Sequence, residues 1–285
     1  MDIPGGATYR HDLATVHHRG FGFHAAACAP GILDFLAPVR ARRGLVLELG
    51  CGSGLLTREL IAAGHRVMAT DASPAMLHIA RGLVGDTAEE VRQLTLPGDP
   101  LPPADAIVAV GHPINYLPDA EAFDRALVAI ARALRPAGRL AFDVCDLDYG
   151  EARRDDRGLG RAGDDWAIVT EFSQPAPDRF VRDITTFVPN PDGSWRRDRE
   201  HHENVLTDTA QIPALLRRHG VEARVGASFG SETLPEGLRV ITGQKPAEAH
   251  IVPAASGTSK HDPGEHAKSF EDDNAPRLYS SHPPG

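Results

Sequence analysis

The run Leu45-Val46-Leu47-Glu48-Leu49-Gly50-Cys51-Gly52-Ser53-Gly54-Leu55-Leu56-Thr57 constrains this chain more than any other. A short apolar strand ends in three alternating glycines that open onto a helix. Glycine reaches backbone conformations closed to other residues and lets the chain approach a ligand where a Cβ would collide. In open parallel sheets, ligands lie beyond the carboxyl ends of the strands, which is where this turn sits. Asp71 follows the next strand, Arg66–Thr70. An acid there can accept hydrogen bonds from both ribose hydroxyls of a nucleoside. A dinucleotide loop would read Gly-x-Gly-x-x-Gly, but the third glycine would fall at Leu55, and Glu48 beside the loop would repel a pyrophosphate. The acid suits a ligand carrying an ammonium or sulfonium charge.

Strands and helices alternate through the middle of the chain. A helix over Leu55–Ala63 ends at Gly64, and Ser73 caps the next helix with Pro74 at its first position. Val91–Leu94 is a weak third strand and Ala106–Val110 a clear fourth. Apolar residues spaced by three or four (Phe123, Leu127, Ile130, Leu134) predict a helix over Asp119–Leu134. Pro136-Ala137-Gly138 then turns into strand Arg139–Val144. Such alternation predicts a doubly wound, mostly parallel sheet with helices on both faces. Downstream the pattern changes. Trp166–Ser173, Arg179–Val188 and Trp195–Val205 read as three strands of an antiparallel meander, followed by a helix over Thr209–His219 and closing strands Val221–Phe229 and Gly237–Gln244. Ahead of the sheet, Asp12–Cys28 and Gly31–Val39 read as helical, interrupted at Gly20-Phe21-Gly22.

Charge narrows the partners. The net charge is -9, so attraction to nucleic-acid phosphates is not expected, and no run of ~18 apolar residues predicts a membrane span. The first residues have neither a basic nor an apolar signal region, and Cys28, Cys51 and Cys145 form no disulfide or metal spacing. Both features point to a reducing cytoplasm. From Pro246 onward apolar residues are sparse and aperiodic, with three basic and six acidic residues, which predicts a disordered tail.

Glu48-x-Gly50-x-Gly52-x-Gly54 followed by Asp71 resembles motifs I and II of the class I S-adenosylmethionine-dependent methyltransferases. Further pieces match in order: Asp71–Leu77 after the second strand, Ala104–Val108 at the fourth, Leu134–Leu140 before the fifth, and the final strands around His219–Val221 and Leu238–Ile241. The resemblance covers about residues 9–245. It implies a Rossmann-like seven-stranded α/β sheet over 45–245, a helical lid over 1–44, an antiparallel β-meander cap inserted at 150–205, and a tail over 246–285. It further implies S-adenosyl-L-methionine as cofactor. Gly50 and Gly52 would line its methionine part, with Cys51 (a small filler, not a nucleophile) and Gly54 completing the loop. Glu48 would hold the loop and its local charge, Asp71 the ribose, Ala72 and Met76 the adenine. Val110 and Gly111 would lie under the methyl, and Tyr9 would reach the cofactor's carboxylate. The acid that the family often carries after strand three is missing from Arg92–Pro97, leaving Gln93 or a backbone group to contact the adenine.

The implied activity is methyl transfer to a nitrogen or oxygen of a small molecule. His112 is the first candidate for a base, with Tyr116 and Asn115 as candidates to orient the acceptor, all on the loop after strand four. Two alternatives carry less weight: a non-catalytic cofactor sensor or partner-binding protein on the same fold, and a nicotinamide oxidoreductase. His201-His202-Glu203 invites a metal site, but neighbours in a strand point to opposite faces, so no metal is expected. The acceptor's identity and the oligomeric state have no signature in the sequence.

Overall fold

The computed structural model describes residues 8–153 and 158–247. Two helices, α1 (His11–Gly20) and α2 (Phe23–Ala41), precede β1 (Leu45–Leu49), α3 (Leu55–Ala62), β2 (Arg66–Asp71), α4 (Pro74–Val84), β3 (Glu90–Gln93) and β4 (Ala104–Ala109). Then come α5 (Ala120–Ala133), β5 (Leu134–Cys145) and a single turn of helix, α6 (Asp148–Glu151). Four strands follow, β6 (Gly158–Gly163), β7 (Trp166–Ala176), β8 (Arg179–Pro189) and β9 (Trp195–Val205), before α7 (Ile212–Arg218), β10 (Glu222–Gly226) and β11 (Leu238–Gln244). The main sheet has seven strands in the order β10-β11-β5-β4-β1-β2-β3. β1 pairs in parallel with both β2 and β4, while β11 runs antiparallel to β5 and β10.

Period-two alternation distributes the core over both faces of this sheet. Val46, Ala106 and Val108 face one way and pack under Ile32 and Leu36 of α2 and Leu56 and Leu60 of α3. Leu47, Leu49, Ile107 and Ala109 face the other way, against Phe123, Leu127 and Ile130 of α5 and Leu216 of α7. Because β1 and β4 are covered on both faces, they read as continuous apolar runs in the sequence. The expected caps are present. The Ser73 hydroxyl accepts from the Met76 amide at 3.1 Å and Asp119 from Ala122 at 2.7 Å.

The structure corrects three expectations. The helix expected to break near Pro30 runs on to Ala41, and Gly31 serves a close crossing instead: a Cβ there would lie 2.5 Å from the Phe229–Gly230 backbone. Pro136-Ala137-Gly138 is a bulge within β5 rather than a turn before it. Ala137 takes φ 59°, and pairing steps from Ala104↔Leu134 to Ala106↔Arg139. The cap has four strands, not three; β6 escaped because Gly158, Gly160 and Gly163 give it almost no strand propensity. The tail expected over 246–285 lies outside the described residues from 248 onward. Among the described residues no single helix is long and apolar enough to cross a membrane.

The cap sheet packs on α1 through Trp166, Ile168, Ile184 and Val188 against Leu13 and Val16. Its junction with the main sheet joins an apolar cluster of Cys145, Tyr149, Phe180 and Leu238 to buried polar contacts. Asn115, with no exposure, accepts from the Cys145 amide at 2.9 Å and donates to the Val205 carbonyl at 2.5 Å, joining the ends of β5 and β9. Asn115 is therefore a structural residue with no free atom for an acceptor. Asn115→Leu strands a buried amide and a buried carbonyl, so it should lower stability by about 1–3 kcal/mol. Urea titration checks this, with a lower midpoint and an unchanged slope expected.

Candidate active site

The three glycines of the loop after β1 all take left-handed backbone conformations: Gly50 at φ 66°, Gly52 at φ 55° and Gly54 at φ 84°. A Cβ on Gly50 would also lie 2.4 Å from the Pro113 side chain, so the loop after β4 can sit directly against it only because Gly50 has none. The space beside Gly52 is open. Asp71, at the end of β2, accepts from the Gly52 amide at 2.8 Å with one oxygen and from the Ser73 amide at 2.8 Å with the other. A carboxylate has about four acceptor positions, so lone pairs remain for a ligand. Burial raises its pKa despite these backbone hydrogen bonds.

Glu48 lies beneath the loop, 3% exposed, with the Thr57 hydroxyl donating to it at 2.7 Å. Burial pushes its pKa up to about 8; the Thr57 hydrogen bond offsets part of this and nearby Asp71 adds to it. The expected local negative charge is thus mostly neutralised by a proton at pH 7. Cys51 is buried and its thiol is driven well above its ordinary value by burial, which fits a filler rather than a nucleophile.

The loop after β4 is held by Asp143 of β5, which has no exposure. Asp143 accepts from the Gly111 amide at 3.0 Å and the His112 amide at 2.6 Å, and His24 Nε2 of α2 lies 2.7 Å away. Burial lowers the His24 pKa, but the hydrogen bond and charge of Asp143 outweigh it and raise the value overall. His112 takes φ 48°, stacks parallel to Tyr116 with centroids 6.1 Å apart, and leaves its Nδ1 buried without a partner. Burial, with Arg182 nearby, lowers its pKa to about 3, so the ring is neutral at ordinary pH and a weak base.

The cap adds polar groups, of which the sequence marked only His202, as a metal candidate. Along β9, Glu200, His202 and Asn204 alternate onto the buried face. His202 Nε2 lies 2.9 Å from Glu200 and its Nδ1 3.3 Å from the Tyr116 hydroxyl, which is 3.0 Å from the Tyr9 hydroxyl. Arg182 of β8 donates to Tyr116 and, at 2.9 Å, to Asn204. His201 points the other way, exposed beside Asp183 and Glu203, so the two adjacent imidazoles do lie on opposite faces. Among the described residues no cluster of three or more His, Cys, Asp or Glu could hold a metal.

The glycine loop, Asp71, the β4 loop and Arg182 share one cavity of about 780 Å³, within the ~300–1,000 Å³ range of small-molecule sites. Of the residues singled out from the sequence, Tyr9, Glu48, Gly50, Cys51, Gly52, Asp71, Ala72, Met76, Val110, Gly111, His112 and Tyr116 line it. Gly54 and Gln93 do not. Gly54 packs on Ala80, and exposed Gln93 donates to the Ala72 carbonyl at 2.9 Å while Leu94 and Thr95 form the wall. Sequence reasoning missed His24, Asp143 and Arg182, and weighed His202 only as a metal ligand. Of the missed residues, Asp143, a lone acid in an apolar strand, carried a visible signal.

A family model described as a methyltransferase domain matches residues 46–138. The chain is also 32% identical over 194 residues to an uncharacterized methyltransferase of Mycobacterium tuberculosis, covering 66% of this chain and 69% of that one. This chain is a class I S-adenosylmethionine-dependent methyltransferase. The fold agrees. An S-adenosylmethionine-dependent methyltransferase from Clostridium acetobutylicum superposes with a TM-score of 0.68 at 16% identity, over 82% of this chain and 98% of that one. The sugar N-methyltransferase KedS8 from Streptoalloteichus superposes with a TM-score of 0.65 at 20% identity, over 87% and 99%. The methyltransferase's cofactor is S-adenosyl-L-methionine, and its site fits that molecule: open space beside Gly52, free lone pairs on Asp71 and a cavity of sufficient volume.

The buried titratable groups set the pH dependence of stability. Glu48 holds its proton to about pH 8 when folded, against an ordinary 4.5, so between these values the folded methyltransferase binds more protons than the unfolded chain. Its contribution therefore falls as pH rises. His17 and His112 titrate at about 4 and about 3 when folded, against 6.5, so theirs falls as pH drops below 6.5. Together these three place maximum stability near pH 6.5, with a loss of about 1 kcal/mol by pH 5 and again by pH 8. Melting curves across this range check it. Glu48→Gln should flatten the alkaline limb and steepen the acid limb, where Glu48 opposes the two histidines.

Proposed function

We propose that this methyltransferase transfers the methyl group to a nitrogen or oxygen of a small molecule held between the main sheet and the cap. The observation that carries the proposal is continuity: the cavity that includes Gly50, Gly52 and Asp71 also includes His112, Tyr116 and Arg182. A cofactor on the glycine loop and an acceptor on the β4 loop would thus lie in one enclosed space. When bound, the cofactor supplies the electrophilic methyl; the protein supplies orientation and exclusion of water.

The residues divide accordingly. Asp71 holds the ribose hydroxyls, with Ala72, Met76 and Leu94 around the adenine. Gly50, Gly52 and Gly111 give backbone approach to the methionine part. Residues 9–24 form a lid: the Tyr9 carbonyl accepts from the Ser73 hydroxyl at 2.7 Å, and His17, Phe21, Phe23 and His24 line the cavity. Tyr9's hydroxyl sits on Tyr116, which supports a role beside the acceptor rather than the carboxylate contact expected of it. His112 offers an unpartnered ring nitrogen to an N–H or O–H of the acceptor. A base that titrates at about 3 cannot hold a proton drawn from an alcohol at neutral pH, so its part is orientation. This favours nitrogen: a neutral amine attacks with its own lone pair. The fold likeness to a sugar N-methyltransferase is consistent with that preference.

The test begins with calorimetric titration of S-adenosylmethionine and a melting curve at saturation. Ligand at ~100 times its dissociation constant adds about 2.7 kcal/mol of stability, a rise of several degrees at roughly 2–4 °C per kcal/mol. Asp71→Asn should weaken binding at least tenfold, about 1.4 kcal/mol. Transfer of labelled methyl to small amines, and none to protein or RNA, supports the acceptor class. The opposite pattern overturns it.

A further inference from the structure

Arg182 is a cation without a counter-ion. Its side chain lines the cavity, and both of its hydrogen bonds leave from Nη2, to the Tyr116 hydroxyl and the Asn204 amide oxygen, which are neutral. Its Nε is buried and has no partner, and neither has the Asn204 amide nitrogen beside it. Among the described residues no salt bridge involves Arg182, whereas three arginines that fasten the cap have one: Arg10 with Asp198, Arg19 with Asp165 and Arg196 with Asp12.

The carboxylates nearest this network are already engaged. Glu200 takes His202 Nε2 at 2.9 Å and the Arg10 amide at 2.8 Å; Asp143 takes His24 and two amides of the β4 loop. The uncompensated charge is felt across the cavity, because Arg182 contributes to lowering the pKa values of His17, His112 and His202. Burial, aided by Arg182, keeps these three imidazoles neutral. A guanidinium withdrawn from water without an anion is costly, and its planar donor array matches carboxylate and phosphate oxygens. Evolving such a group into the wall of a binding cavity makes chemical sense when a ligand brings the anion.

We infer that the methyl acceptor carries an oxyanion, carboxylate or phosphate, and that the Arg182 guanidinium, which lines the cavity, binds it. This rests on the proposal that the acceptor occupies the same cavity as the cofactor. The acceptor is then bifunctional. Its oxyanion is fixed at the cap by Arg182, and its nucleophilic atom is presented near His112 and Tyr116. Specificity follows from charge: an uncharged analogue must leave the guanidinium buried and unpaired.

The experiment uses the full chain saturated with S-adenosylhomocysteine, so that only the remaining space is probed. Benzoate, phenyl phosphate and benzamide, of similar shape but different charge, are titrated by calorimetry. At least one anionic probe is expected to bind about tenfold or more tightly than benzamide, the least that a charge-assisted hydrogen bond at a desolvated site gives. Preference between benzoate and phenyl phosphate tells which oxyanion the site takes. Arg182→Gln should abolish the difference and Arg182→Lys should restore part of it, both with unchanged affinity for S-adenosylmethionine. Equal binding of charged and neutral probes by the wild-type chain, or no binding of any, overturns the inference without any variant having to fold. Retention of the anion preference in Arg182→Gln overturns Arg182 as its source. Failure of the wild-type chain to bind S-adenosylmethionine would instead strike the underlying proposal.

Discussion

The carboxylate of Asp143 is the interaction on which the cavity depends. It is fully buried, yet it accepts from two successive amides of the β4 loop and lies in contact with the His24 ring. Three separate stretches of chain (α2, the β4 loop and β5) are thereby fixed to one point. The geometry of His112 follows from it. A non-glycine residue at φ 48° is strained, and the 2.6 Å hydrogen bond from its amide to Asp143 helps hold it there. With its backbone so placed, His112 stacks on Tyr116, and Tyr116 in turn meets Tyr9, His202 and Arg182. Loss of one carboxylate would thus disturb groups on the N-terminal segment, the main sheet and the cap together.

The sequence carried the sheet and the cofactor side of the cavity because both rest on local rules. The bounds Leu45–Leu49 emerged unchanged from an apolar run stopped by glycine, and Ser73-Pro74 marked the start of α4 by capping chemistry that needs no tertiary partner. The three glycines announced left-handed backbone, and all three have it. Where tertiary contacts decided, local rules misled. Pro30 signals a helix end, but the packing of α2 over β1 and β4 carries the helix through it, and Gly31 exists for a crossing with residues 229–230, far away in the chain.

The cap side was hidden for a different reason. A strand pattern reports which residues share a face, not which face meets a cavity. Glu200, His202 and Asn204 alternate as any solvated strand would, and Arg182 stands between Val181 and Asp183 with nothing to distinguish it from the other arginines of the cap. Only the packing of this sheet over the main one turns its polar face inward. Burial then changes the chemistry of ordinary residue types. Imidazoles become neutral, Glu48 keeps a proton, and a guanidinium is left facing a void.

The stretch Tyr9–Asp12 bonds to both the main-sheet region and the cap. Its Tyr9 carbonyl is bound to Ser73 beside Asp71, while Arg10 and Asp12 are bound to Asp198, Glu200 and Arg196 on the cap. Four consecutive residues therefore tie the start of α4 to the cap sheet. A shift of this stretch at one end strains the hydrogen bonds at the other, so the segment beside Asp71 and the cap strand β9 are not free to move independently of each other.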